Sequence, residues 1–246
     1  MSFGLWDFIL IGVVSIQAGI LSYISDPKKK SLVLVFPFPF TIATISLGTQ
    51  VNATHVLGLI DLAIFTYGVR FLHSKVKLNI ILSIIFCAVV YCIIGLYLAR
   101  ILPDTEILFW TSAILVLFVA ITLVLLTRRP YEPPYKTDLP VYIKLPIIIG
   151  VVSILVVFKK YLQGFMTVFP MVGVIAAYEG RFMLASICRQ IPTLMISLVS
   201  LMMTIRALSN TISFYWSLVF GWAVFLFVLW FLGSFLWEVS LYEKNS

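Results

Sequence analysis

Asp61 sets a carboxyl group deep in an apolar run, six residues beyond His55 and so about 9 Å along a helix rising 1.5 Å per residue. Ionisable groups at such depth are costly and mark functional positions. Desolvation works against the charged form of a carboxyl, so a group placed there is suited to taking up and releasing a proton. Asp61 is therefore a candidate for coupling transport to protons. The competing reading is a structural pair with a basic neighbour. A second kind of chemistry is carried by proline. Pro37 and Pro39 interrupt the stretch Val35-Phe36-Pro37-Phe38-Pro39-Phe40-Thr41-Ile42-Ala43-Thr44, and Pro170 interrupts Val168-Phe169-Pro170-Met171-Val172-Gly173-Val174-Ile175-Ala176-Ala177-Tyr178. Proline removes a backbone donor and clashes with the preceding turn. In lipid the freed carbonyls need new partners, so such breaks survive where protein or water surrounds them.

Pro37 follows Lys30 by about 10 Å of helix and Pro170 follows Lys160 by about 15 Å, so both breaks are expected within the hydrocarbon layer. Proline suits the first turn of a helix. The pieces after Pro37 and Pro170 read as half-helices whose positive N-terminal ends face inward and favour an anion between them. Ordinary proline kinks are the alternative. Thr41, Thr44 and Gly48 fall at helical spacing after the first break, as the lining of a polar cavity would, or as hydroxyls bonding their own backbone. The candidate substrate-binding set is Pro37, Pro39, Thr41, Thr44, Asp61, Pro170 and Tyr178. No metal site and no cofactor is implied.

The elements that must position these residues follow from composition. Apolar residues make up 62% of the 246-residue chain and charged residues 11%, against about 25% charged in soluble domains. Such a mixture cannot cover a soluble surface, so the chain reads as an all-α, polytopic transmembrane helical bundle whose first partner is the lipid bilayer. Nine apolar segments appear, at roughly 3–24, 32–49, 56–73, 77–101, 106–126, 143–158, 163–179, 188–208 and 212–237. Most reach the roughly 20 residues that cross a bilayer. The second, sixth and seventh are short enough to be re-entrant, which gives about eight to nine spans. The N-terminus lacks a basic region before its first apolar run, so that run is expected to be a retained span rather than a cleaved signal. Cys87, Cys92 and Cys188 lie in or beside apolar segments, without a close-spaced pair, and read as small apolar fillers.

The two proline stretches belong to larger copies. The hexapeptide Ile-Gly-Val-Val-Ser-Ile occurs at 11–16 and again at 149–154. Each hexapeptide is followed by lysines (Lys28–Lys30, Lys159–Lys160), then by Phe-Pro, then by Ile-Ala. That order reads as an internal duplication: repeat unit 1 over 1–127, a Pro-rich linker over 128–142 holding Tyr131-Glu132-Pro133-Pro134-Tyr135-Lys136, and repeat unit 2 over 143–246. Lys28–Lys30, Lys75, Lys77, Arg128, Arg129, Lys136 and Arg181 fall on one side, which the positive-inside rule makes cytoplasmic. Lys159 and Lys160 run against that rule. Arg70, Arg100 and Arg206 lie near segment ends and read as snorkelling side chains. The two copies start on opposite sides of the membrane, and inverted repeats place a site near the midplane in secondary transporters.

Enzyme chemistry finds no support. The chain holds no HExxH, no GxSxG and no Walker loop. Nucleic-acid binding has none either. The stretch Lys159-Lys160-Tyr161-Leu162-Gln163-Gly164, with Phe169-Pro170 and Ile175-Ala176-Ala177-Tyr178 after it, resembles the GlpM-like family of small bacterial inner-membrane proteins. The resemblance covers roughly 40 residues and, more faintly, the matching part of the first half. It implies a multi-pass protein of the cell inner membrane but no substrate. The chain departs from the family in being about twice as long, as if two units were fused, in Glu179 after the tyrosine and in the extra Pro39. The expected function is a secondary transporter or flippase-like protein for an anionic or amphiphilic small molecule or lipid, bound between the two breaks. The alternative is a non-catalytic subunit or assembly factor of a larger membrane complex, with a membrane-protein partner or a second copy.

Overall fold

The computed structural model describes residues 4–126, 141–157 and 159–242, and all regular structure among them is helical. Helix α1 runs Leu5–Tyr23, α2 Pro27–Val35, α3 Phe38–Leu47, α4 Ala53–Ser74, α5 Ile80–Ile101 and α6 Glu106–Leu126. Then come α7 Val141–Val157, α8 Lys159–Leu162, α9 Gly164–Val168, α10 Met171–Glu179, α11 Leu184–Leu208 and α12 Phe214–Tyr242. Six helices (α1, α4, α5, α6, α11 and α12) are long and apolar enough to cross a membrane, so the protein is a multi-pass helical bundle. Most of the linker expected at 128–142 lies outside the described residues, and its last two residues already belong to α7.

Local sequence explains where helices start and stop. Asp7 sits in the first turn of α1, where a negative charge meets the positive end of the dipole, and accepts from the Gly4 amide at 3.0 Å. Its other oxygen accepts from Ser46 Oγ at 2.8 Å, which ties the start of α1 to the end of α3. Asn52 caps α4 by accepting from the Thr54 amide at 3.1 Å, and Asn79 caps α5 through the Ile81 amide at 2.8 Å. Helix α3 ends at Gly48, whose φ of 65° lets its amide reach back to Thr44 and Ile45.

Burial runs opposite ways on the inner and outer helices. Helices α4 and α11 form the centre and are buried on most sides. Helix α5 turns Ser83, Cys87, Tyr91, Gly95 and Ala99 inward, while Phe86, Val89, Ile93 and Tyr97 face outward. Helices α6 and α12 likewise expose Phe118, Leu125, Phe227 and Trp230. A soluble protein would hide these side chains; on a membrane protein they are the surface that lipid covers.

Contacts between helix ends fix direction. Arg206, at the end of α11, donates to the Val51 carbonyl just before α4 (3.0 Å) and to Glu106 at the start of α6 (2.9 Å). Helices α4 and α11 are therefore antiparallel, and α6 runs with α4. Arg206 is 9% exposed and also lies 3.7 Å from Asp104, so it is a buried, paired residue and does not snorkel as its sequence position suggests.

Candidate functional site

The two proline breaks face the same cavity. Pro37 stands at the N-cap of α3 and Pro170 at the N-cap of α10. Both line one cavity of about 70 Å³, together with Pro39, and α4 and α11 supply much of its remaining wall. Its aromatic wall includes Phe36, Phe40, Phe65 and Phe169. Among the described residues, Gln17, Thr66 and Thr167 alone bring polar side chains to it and no charged residue lines it. Both threonine hydroxyls turn back to their own backbone, Thr66 to the Leu62 carbonyl (2.9 Å) and Thr167 to the Gly164 carbonyl (2.7 Å). The interior at the breaks is apolar.

Each break leaves carbonyls that a helix would have used, and at each break another helix donates to at least one of them. Pro37 has no amide to give to Val33, four residues back. Gln17 of α1 supplies the missing donor: its Nε2 reaches the Val33 carbonyl at 2.8 Å and the Phe36 carbonyl at 3.1 Å. Near Pro170 the Phe169 amide turns to the Met166 carbonyl at 3.2 Å, one residue short of the α-helical partner. The Phe165 carbonyl is thereby freed, and Tyr91 of α5 donates its hydroxyl to it at 2.7 Å. The Tyr91 ring stands edge-on to Phe169 with centroids 4.9 Å apart. Gln17 Oε1 is buried at the cavity wall without a hydrogen-bond partner among the described residues.

The docking of the second break depends on a glycine. A Cβ on Gly164 would collide with Thr54 Oγ1 and with His55, so only glycine lets α9 meet the first turn of α4. There the Gly164 amide donates to Thr54 Oγ1 at 3.2 Å. Gln163, just before it, takes a left-handed φ of 49°. This close approach places Val168, Phe169 and Pro170 against the middle of α4.

The remaining sequence candidates lie elsewhere. Thr41 donates to the Pro37 carbonyl at 3.0 Å and accepts from Trp222 Nε1 of α12 at 2.9 Å. Thr44 donates to the Phe40 carbonyl at 2.8 Å. Neither lines the cavity, and both serve helix α3. Tyr178 is half-buried at the far end of α10, with the Arg181 guanidinium 5.3 Å from its ring centroid. Asp61 does not line the cavity and lies within electrostatic reach of Tyr91 and Cys92 on α5. It is 2% exposed, and neither carboxyl oxygen has a hydrogen-bond partner among the described residues. Pro37, Pro39 and Pro170 are thus brought together, whereas Asp61 lies one helix face away.

Sequence reasoning passed over Gln17, Tyr91 and Gly164. Gln17 carried a signal: it is the one amide in the first apolar segment, directly after the repeated hexapeptide. Gly164 stood inside the stretch already singled out at 159–164. Tyr91 carried none, since an aromatic in a span looks like any other. No three or more metal-ligating side chains cluster among the described residues. Compared with family models, with curated proteins and with solved structures, the chain matches none of them.

Proposed function

We propose that the protein is a multi-pass inner-membrane transporter or flippase-like protein for an amphiphilic molecule, built from two inverted repeats whose proline breaks form an occluded central site. The observation that carries this reading is that Pro37 and Pro170, more than a hundred residues apart, wall one cavity. The chain path supports the inversion. Residues near the start of α1 and the end of α3 meet through Asp7 and Ser46, and α3 leads into the end of the bundle where Arg206 binds Val51. In the second half Gly164 starts at that same end, beside Thr54, and α10 leads to Arg181 beside Lys75 at the opposite end. The two interrupted segments therefore traverse the bundle in opposite senses.

The packing repeats with the halves exchanged: α4 holds α9 of the second break, and α11 holds α2 of the first. With the two broken segments and α7 counted as crossings beside the six long helices, the chain makes nine passes. The apolar wall suits hydrocarbon better than a bare anion, so the cargo is placed on the amphiphilic side of the expected range. A volume of about 70 Å³ is small beside the roughly 300–1,000 Å³ of ordinary ligand pockets. Admission of cargo therefore needs motion at the breaks. Asp61, buried beside the α5 helix that braces the second break, is the assigned proton-coupling group.

The alternative, a non-catalytic subunit or assembly factor, is favoured by one observation: the crossing is apolar and aromatic, as a packing device would be. A vesicle assay separates the two. Purified protein is reconstituted with NBD-labelled phosphatidylglycerol, and dithionite quenching reports lipid that has changed leaflet. The transport reading expects protein-dependent loss of the protected fraction, slowed far more by Pro170→Ala than by Pro146→Ala, with a pH dependence that Asp61→Asn removes. No protein-dependent change with folded wild type, or equal tolerance of both proline substitutions, would overturn it and leave the accessory reading.

A further inference from the structure

We propose that a cationic cleft between the end of α4 and the start of α11 is a binding site for a phosphate-type anion, the headgroup of an anionic lipid. The cleft has a volume of about 490 Å³, within the range of ordinary ligand pockets. Arg70 and Lys75 enter it from α4 and its C-cap, and Arg181 from the turn after α10. Ser74 adds a hydroxyl, and no aspartate or glutamate is among its described lining residues. The nearest carboxylate in sequence, Glu179, is buried and outside the lining. Three cations converge on one concavity, and their summed positive potential draws an anion into the cleft.

The geometry favours phosphate carried on a lipid. Arg181 is held in place by two rings, with its guanidinium carbon 5.3 Å from the Tyr178 centroid and 5.1 Å from that of Phe182. A guanidinium fixed in this way presents a planar fork that matches phosphate oxygens. Phe71 and Phe182 stand at the same cleft, 60% and 57% exposed. Large exposed aromatic rings beside fixed cations at one end of a membrane bundle suit the boundary between headgroups and acyl chains. Leu184 lines both this cleft and the proline cavity, so a headgroup bound here leaves its chains close to the apolar interior. The site stands on its own lining and does not rest on the transport reading.

The test uses the full chain in nanodiscs, released into a mass spectrometer that retains bound lipid, with phosphatidylglycerol and phosphatidylcholine offered together. Inorganic phosphate is offered separately in neutral detergent and read by thermal shift. Arg70→Gln with Lys75→Gln removes two of the cleft's charges and leaves the ring-clamped Arg181 intact, so folding is kept. Arg100→Gln, exposed and outside the cleft, controls for lost charge. The expected result is selective retention of phosphatidylglycerol, reduced about tenfold or more by the double substitution and unchanged in the control. Stabilisation by inorganic phosphate with the same variant pattern, without preference between the lipids, keeps the anion site and assigns it to free phosphate. Neither ligand binding, or a lipid preference that survives the double substitution, overturns the proposal.

Discussion

The breaks at Pro37 and Pro170 share a sequence motif and a cavity, yet they are held by different means. The first is repaired by an amide: Gln17 of α1 serves two carbonyls, at 2.8 and 3.1 Å. The second is repaired by a phenol, with Tyr91 of α5 serving one carbonyl at 2.7 Å, and by a glycine contact that presses α9 onto α4. The position after the hexapeptide is Gln17 in the first copy and Leu155 in the second. Near Pro170 the donor comes from α5 instead. The shared requirement is physical, since a proline inside the bilayer frees carbonyls that must be paired. The residue that pairs them is free to differ.

The largest effect is expected at the glycine that only the second break needs. Gly164→Val drives a side chain into Thr54 and His55 and should cost about 3 kcal/mol or more, read as lost folded yield and a lower melting temperature in detergent. Gly48→Ala, at the end of the first broken segment, meets nothing within 4 Å and carries only the strain of its φ of 65°, about 1–2 kcal/mol. If the two substitutions cost the same, the asymmetry between the breaks is wrong.

Next come the two repairs themselves. Gln17→Leu leaves two part-buried carbonyls without that donor and is expected to cost about 2–4 kcal/mol, whereas Tyr91→Phe leaves one buried carbonyl and should cost about 1–2 kcal/mol. Denaturant unfolding in mixed micelles measures both. A larger loss at Tyr91 than at Gln17 would reverse the assignment of which break leans more on a single side chain. The smallest effect is expected at the bundle end. Glu106→Gln breaks a 2.7 Å contact to Arg206, but Glu106 is 57% exposed and solvent screens the pair, so under about 1 kcal/mol should be lost, and less at high salt.

Much of the bundle was legible in the chain because lipid imposes a coarse rule: a span must be long and apolar. The runs at 56–73, 77–101 and 106–126 became α4, α5 and α6 within a few residues. The helix ends at Pro37 and Pro170 were legible because proline has no amide to donate. The chemistry of the cavity was not. Thr41 and Thr44 have the spacing of a polar lining, yet their hydroxyls close onto the Pro37 and Phe40 carbonyls. A threonine's spacing says which face it occupies and not which carbonyl it will bond. Asp61 was visible as a buried carboxyl, but the face it turns to depends on how α4 rotates against α5 and α9. The Gly164 contact that brings α9 against α4 lies 103 residues away in sequence. Arg206 was hidden for the same reason, since its partners Val51, Asp104 and Glu106 come from distant loops and the first turn of α6.

The central claim is that the two break-bearing segments cross the membrane in opposite senses. It is tested most directly by single cysteines at the exposed positions Lys29 and Tyr161, placed in a background with Cys87, Cys92 and Cys188 replaced, and labelled in intact cells with an impermeant thiol reagent. The account expects Tyr161→Cys to be labelled from outside and Lys29→Cys only after the membrane is opened. Labelling of both from the same side would make the repeats parallel and contradict it.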